Sequence, residues 1–185
     1  MDRLHVATVN IRNLADRWDE RLPLLLADMA ALQPDLLGLQ EVVFPLQQDR
    51  LIGAAGPGRY ESLRGPAGRP EYGNALLVRA PLAARDEGRL DLGLDRSAIR
   101  ARIPLPSGAT VVAAVTHLHH VPADERERDE QARLLIDWLT EIPVAEGVIV
   151  VGDFNAEPVE PAYGRMEQAG FRSAHREANG AEPDV

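Results

Sequence analysis

The sequence predicts an α+β fold in which two mixed β-sheets pack face to face with helices on their outer surfaces, a four-layer α/β/β/α sandwich. Three observations predict it. Strand-like segments outnumber helical ones, they join both as hairpins and through a helical crossover, and so many apolar strands need two packed sheets to hide them. The 185 residues suggest one domain spanning 1–185. Aromatic residues are only 4% of the chain, so Leu, Val, Ile and Ala must build the core.

The elements follow in chain order. Residues 5–11 alternate and are rich in β-branched side chains, which reads as a strand. Asp19 is read as the cap of a helix over 20–32, where Leu22, Leu25, Leu26, Met29 and Leu32 recur at helical spacing. Pro34 stops that helix, and 35–42 form a second, mostly apolar strand. Strand, helix and strand in this order make a crossover unit, with the second strand parallel to the first or nearby in the same sheet. Residues 46–52 read as a short helix, and 53–73, rich in Gly, Pro and Arg, as a long surface loop. Strands are expected over 74–78 and 85–92. A hairpin joins 99–104 to 110–118 across Pro106-Ser107-Gly108-Ala109. The clearest helix covers 124–139. Leu134, Leu135, Trp138 and Leu139 are its apolar part, and Asp124, Glu125, Arg126, Glu127 and Arg128 mark a solvated first half. A buried strand over 148–151 and a helix over 161–168, ending at Gly170, complete the reading.

Composition narrows the chemistry. Without cysteine there are no disulfides, thiolate metal sites or cysteine nucleophiles. The first residues do not lead a charged segment into an apolar one, so no secretory signal is expected. No stretch approaches the roughly 18 apolar residues of a membrane span, and a cytoplasmic protein is expected. The net charge of −9 lowers the expectation of tight, sequence-independent nucleic-acid binding without excluding a local basic patch. It suits a site that recruits a divalent cation. The sequence sets no oligomeric state.

Polar residues at the carboxyl ends of buried strands are the informative ones, because burying such groups is costly unless each finds a partner. Asn10, Glu41, His117, Asp153 and Asn155 all stand there, which suggests one shared polar site at one edge of the sheets. Asp153, in Gly152-Asp153-Phe154-Asn155, could bind a metal or orient a water, and Asn155 could donate to a phosphate oxygen. Taken alone, the same four residues read as a turn. Glu41 is a hard oxygen donor suited to Mg²⁺, or a solvated strand end, and Asn10 shares that ambiguity. Thr116-His117-Leu118-His119-His120 admits a zinc reading that no third well-spaced ligand completes. His117 and His119 share a face by alternation. Beside a phosphate, a protonated His117 could stabilise developing charge or act as general acid. Arg59, Arg64 and Arg69 read as a solvated stretch with the capacity for an anion contact.

These residues carry a resemblance. The stretches Thr8-Val9-Asn10-Ile11, Pro34 to Val42, Tyr72-Gly73-Asn74-Ala75-Leu76-Leu77, Thr116-His117-Leu118, Arg128-Asp129-Glu130-Gln131 and Gly152-Asp153-Phe154-Asn155-Ala156 resemble, in order, the endonuclease/exonuclease/phosphatase (deoxyribonuclease-I-like) superfamily. The resemblance implies a metal-dependent hydrolase of phosphate esters, with water attacking phosphorus in line. Mg²⁺ is the implied cofactor and Mn²⁺ an alternative. It implies Glu41 and Asn10 at the metal, and Asp153 and Asn155 positioning the water and the phosphate. His117 would contact the phosphate, Asn74 would shape the pocket wall, and Arg128 and Gln131 would support the fold. DNA, RNA, phospholipid head groups, inositol phosphates and small nucleotide esters are all substrates within that superfamily. It also carries a later Ser-Asp-His motif on its last strands, which residues 172–185 do not match. His175 is not assigned that role. The expectation is therefore a carboxyl-terminally incomplete domain, of impaired activity, or a non-catalytic relative that keeps the fold.

Overall fold

The computed structural model describes residues 3–56, 58–142 and 145–183. Its elements are β1 (Val6–Asn10), α1 (Trp18–Leu32), β2 (Leu36–Val43), α2 (Leu46–Ala55), β3 (Tyr60–Ala67), β4 (Arg69–Arg79), β5 (Arg85–Gly93), β6 (Arg96–Pro104), β7 (Thr110–His117), α3 (Glu125–Thr140), β8 (Gly147–Asp153), α4 (Pro161–Gln168) and α5 (Ala174–Asn179). They fall into two compact units. The first comprises residues 1–117 and 144–153, the second 118–143 and 154–185.

The first unit holds both sheets. One runs β1-β2-β4-β3 and the other β5-β6-β7-β8, four strands each. Both are mixed. β1 and β2 are parallel, as the α1 crossover requires, and β4 runs antiparallel to β2 and to β3. In the second sheet β7 and β8 are parallel, while β5-β6 and β6-β7 are antiparallel. Alternation along β2 and β4 sorts their side chains onto two faces. Leu36, Leu76 and Val78 meet Ile99, Ala101, Ile103, Ala113 and Val115 of the second sheet in one core. Leu37, Leu39, Ala75 and Leu77 turn the other way, onto Met29 of α1 and Leu51 and Ala55 of α2.

Gly38 lies at a close approach of the two sheets. A Cβ there would sit 2.5 Å from Val151 Cγ2 and 3.2 Å from Val115 Cγ2. Both neighbours are β-branched and stiff on their strands, so neither side chain can swing away.

Two corrections concern the stretch expected as a loop over 53–73. It contains β3 and the start of β4, and the helix before it runs on to Ala55. The Gly and Pro content hid a strand alternation in which Tyr60, Leu63, Gly65 and Ala67 are buried. Gly65 is small because Ile99 leaves no space, its Cγ2 standing 2.2 Å from where a Cβ would be. Arg64 stacks over the Phe44 ring and Arg59 donates to Gln33, so these arginines stand on structured segments.

The start of α1 also differs. Arg17, not Asp19, occupies the N-cap position, with a left-handed φ of 51°, and it makes no side-chain cap. Arg21 organises that entry instead. Its guanidinium donates to the carbonyls of Ile11 (2.6 Å), Asp16 (2.8 Å) and Ala15. At the other end Leu32 is 66% exposed, so the apolar face stops at Met29.

In the second unit α3 and α4 pack together, and Ala132, Leu135 and Leu139 of α3 are buried. The first half of α3 is not wholly solvated as expected, since Arg128 is 1% exposed. Each of its three guanidinium nitrogens is matched, by Glu160 (2.8 Å) and by the carbonyls of Val121 (2.6 Å) and Pro122 (2.9 Å). Gln131 accepts from the His119 amide at 2.8 Å. Helix α5, capped by Ser173, was not foreseen.

Asp35 ties the sheet of β1-β2-β4 at its other end. It accepts from the His5 amide at 2.8 Å and from the Arg79 guanidinium. Burial pushes its carboxyl up, but the His5 amide and Arg79 outweigh this and hold it below its ordinary value of 3.8. A depressed carboxylate stabilises the fold above that value and ceases to as pH falls through the folded one.

Two outcomes are expected from this packing. Gly38→Ala lowers unfolding free energy by about 1–3 kcal/mol through overpacking, read as a fall in urea midpoint at constant slope. Asp35→Asn costs about 1–3 kcal/mol near neutral pH, and the gap from wild type closes as pH drops below 3.8.

Candidate active site

The strand ends of the two sheets converge within the first unit. Asn10 closes β1, Glu41 lies in β2, and His117 and Asp153 are register partners at the ends of β7 and β8. The Asn10 amide nitrogen donates to Glu41 Oε1 at 3.0 Å and to Asp153 Oδ2 at 2.9 Å. One side chain thus joins a carboxylate from each sheet. Its own oxygen accepts from the Arg12 amide at 2.9 Å, which fixes the amide's orientation.

Glu41 reaches this position through a backbone irregularity. The β2–β4 register shifts between Leu39 and Val42, and Glu41 has φ of 55° inside the strand. A bulge of this kind re-aims a side chain out of the alternation. Holding a non-glycine residue there costs on the order of 1–3 kcal/mol, so the surroundings must impose it. They do. The Asn13 amide nitrogen donates to Glu41 Oε2 at 2.9 Å, and the Asn13 backbone N–H donates to the Glu41 carbonyl at 2.9 Å. Gln47, fully buried, donates to the Asn13 carbonyl at 2.6 Å and accepts from the Val43 amide at 2.8 Å.

Gly152 sets the height of Asp153. Its φ is +156°, and a Cβ would lie 2.1 Å from the Thr116 carbonyl oxygen. Only glycine lets β8 approach β7 closely enough to bring Asp153 beside His117. His117 Nε2 is 3.9 Å from Asp153 Oδ2 and Nδ1 is 3.2 Å from Arg96 Nη1. A pocket opens here, lined among others by Glu41, Tyr72, Asn74, Arg96 and His117. Asn74 is buried in its wall and donates to the Ser97 carbonyl at 2.8 Å. Burial, then the neighbouring Glu41 carboxylate, push the Tyr72 phenol above its ordinary value of 10.0, and it stays a donor at neutral pH.

The donor set suits a hard, water-rich cation. Two carboxylates and an amide lie together, and no group of three or more His, Asp or Glu forms a metal cage among the described residues. Mg²⁺ keeps several waters and takes one or two protein carboxylates, so the residues present fit it. A zinc set does not form among the described residues. β7 ends at His117, and His119 belongs to the second unit, where its Nε2 contacts Asp124 at 2.8 Å. Asn155 also belongs to the second unit. There its amide donates to the Leu118 carbonyl at 3.1 Å, and its φ is 48°.

The model of the Endonuclease/Exonuclease/phosphatase family matches residues 7–184. The chain belongs to the endonuclease/exonuclease/phosphatase family. Nocturnin from Mus musculus is 33% identical over 166 residues, covering 80% of this chain and 38% of nocturnin. The chain thus spans well under half the length of that relative. The human nocturnin catalytic domain with bound sulfate anion superposes with a TM-score of 0.86 at 29% identity, over 97% of this chain and 76% of that one. A mannosyl-6-phosphatase from Bacteroides thetaiotaomicron shares the fold, with a TM-score of 0.77 at 20% identity, over 91% of this chain and 71% of that one.

For this family member, sequence reasoning singled out Asn10, Glu41, Asn74, His117 and Asp153, and the structure gathers them in one unit. It missed Asn13, Gln47, Arg96 and the role of Tyr72. Asn13 carried a weak signal, as a second Asn three residues past a strand-end Asn. Gln47 and Arg96 carried none, because each acts across the fold on a residue distant in sequence. Residues that orient a metal-site carboxylate typically cost 10–100-fold in affinity or activity when removed. If the site holds Mg²⁺, Asn13→Ala is expected to weaken its binding by roughly that factor in calorimetric titration, and to lower the melting temperature through the lost bond to Glu41.

Proposed function

We propose that this chain is a Mg²⁺-dependent phosphoesterase, and the observation that carries the reading is the Asn10 amide bridging Glu41 and Asp153 across two sheets. Glu41 is the principal metal ligand. Asn10 stands beside it with its oxygen turned to the Arg12 amide, so it serves chiefly by holding the two carboxylates in place. Mn²⁺ is an alternative ion. When bound, the ion supplies Lewis-acid stabilisation of charge on the phosphate and the leaving oxygen.

The chain's own residues do the rest. Asp153 accepts a hydrogen bond from the attacking water, orients it toward phosphorus and takes up its proton. The new bond is water oxygen to phosphorus, the ester P–O bond opposite breaks, and the departing alkoxide takes a proton from solvent water to become an alcohol, while Asp153 returns the proton it took to solvent. His117 donates a hydrogen bond to a phosphate oxygen. The sulfate in the human nocturnin structure supports an anion-binding reading for the shared fold. The net charge of −9 favours a small phosphate ester over a nucleic-acid backbone, which loses affinity without a basic face. No described helix is long and apolar enough to cross a membrane.

The test is Mg²⁺-dependent hydrolysis across a panel of phosphate mono- and diesters. Asp153→Asn is expected to lower kcat by roughly 10²–10⁴, and Glu41→Gln to abolish the Mg²⁺ dependence, with circular dichroism unchanged for both. Unaltered turnover in both variants would sink the reading.

A further inference from the structure

We propose that Arg96 is a positioning residue that fixes His117 as the neutral tautomer with its proton on Nε2. An arginine guanidinium only donates hydrogen bonds. Arg96 Nη1 lies 3.2 Å from His117 Nδ1, so Nδ1 must present its lone pair. The proton of a neutral imidazole then sits on Nε2, the nitrogen that faces Asp153 Oδ2 at 3.9 Å. An imidazolium would turn an N–H toward a cation and lose that bond.

A second observation supports a dedicated placement of Arg96. It opens β6 directly after a tight turn, in which Gly93 pairs with Arg96. The two residues between them, Leu94 and Asp95, have φ of 52° and 55°. Positive φ at both central positions is the geometry of a type I′ turn, where Asn-Gly is the favoured pair. A branched Leu in this region is an outlier. Asp95 also crowds Gly68 of the neighbouring turn, where a Cβ would meet its carboxyl at 2.7 Å. Two packed turns and a strained residue thus hold Arg96 in register two residues before Ala98, which pairs with Thr116 beside His117. His117 itself is 5% exposed, so its ring is held in a closely packed setting.

The consequence for chemistry rests on the phosphoesterase reading. His117 serves as a neutral Nε2–H donor to a phosphate oxygen, not as a general acid, and Arg96 acts through it. The tautomer itself does not depend on that reading and is measured without turnover. Imidazole ¹⁵N–¹H correlation spectra of the uniformly labelled chain near neutral pH, with the His117 signals assigned by their loss in His117→Gln, report which nitrogen bears the proton. The expected result is an unprotonated Nδ1 and a protonated Nε2. In Arg96→Met the two nitrogen shifts move toward each other as tautomers mix, and in Arg96→Lys they return toward the wild-type pattern. An Nδ1-protonated or doubly protonated His117 in the wild-type protein overturns the proposal, whatever the variants do. So does a wild-type pattern that persists in Arg96→Met. Loss of hydrolysis with the expected wild-type spectrum would count against the phosphoesterase reading alone.

Discussion

The Asn10 amide nitrogen is the point on which the site depends, because it is shared by two carboxylates that arrive on different sheets. Glu41 comes from β2 and Asp153 from β8. An amide carries two N–H groups on one nitrogen and no net charge, so it can satisfy one oxygen of each acid without neutralising either. A lysine in that place would cancel charge and leave less for a metal. An aspartate would add a third repelling group. The geometry needs the sheets at a fixed separation, and Gly38, set against Val151 and Val115, is what lets them come that close. Core packing and site geometry are therefore one constraint seen at two distances.

The local backbone shows the cost of this arrangement. Glu41 has a left-handed conformation in a strand that otherwise alternates regularly. Each such residue opposes folding by on the order of 1–3 kcal/mol, while a charge-assisted hydrogen bond returns about 1.5–3 kcal/mol. Two side-chain bonds to Glu41, from Asn10 and Asn13, are enough to offset the strain. The buried Gln47 then braces Asn13 from below. This ordering explains why the polar chain runs inward from the site to a fully buried glutamine and does not end at the first shell of contacts.

Much of this was legible in the sequence, and the boundary of legibility has a physical meaning. The mostly apolar strand Leu36–Val43 announced itself because nearly all of its residues are buried, whereas Gly147–Asp153, expected to be buried, is only half-buried and leaves Val148 exposed. Their terminal polar residues stood out against that background, which made Asn10, Glu41, His117 and Asp153 visible. The β3 strand did not announce itself. Its glycines and proline serve close approach to Ile99 and the β4 strand, not turning, and composition cannot tell these uses apart. Arg128 misled in the opposite sense, since charge on a helix face is normally solvated. The Glu160 carboxylate and the carbonyls of Val121 and Pro122, folded back onto it, make its burial tolerable. Arg96 and Gln47 stayed hidden because they act on partners at positions 117 and 13, and pairings of that kind belong to the fold, not to any local pattern.

The balance of charge explains why the reading needs a cation at all. Two ionised carboxylates share the Asn10 nitrogen, and the proposed substrate is itself an anion. At about 4 Å and an effective dielectric near 20, each like-charge pair costs about 4 kcal/mol. Arg96 offsets part of this, but its Nη1 is directed at His117, on the pocket's side wall. A neutral His117 adds a hydrogen-bond donor and no charge. On the proposed reading, a divalent ion beside Glu41 would reduce this repulsion, and ion and phosphate ester would each raise the other's affinity by the same factor.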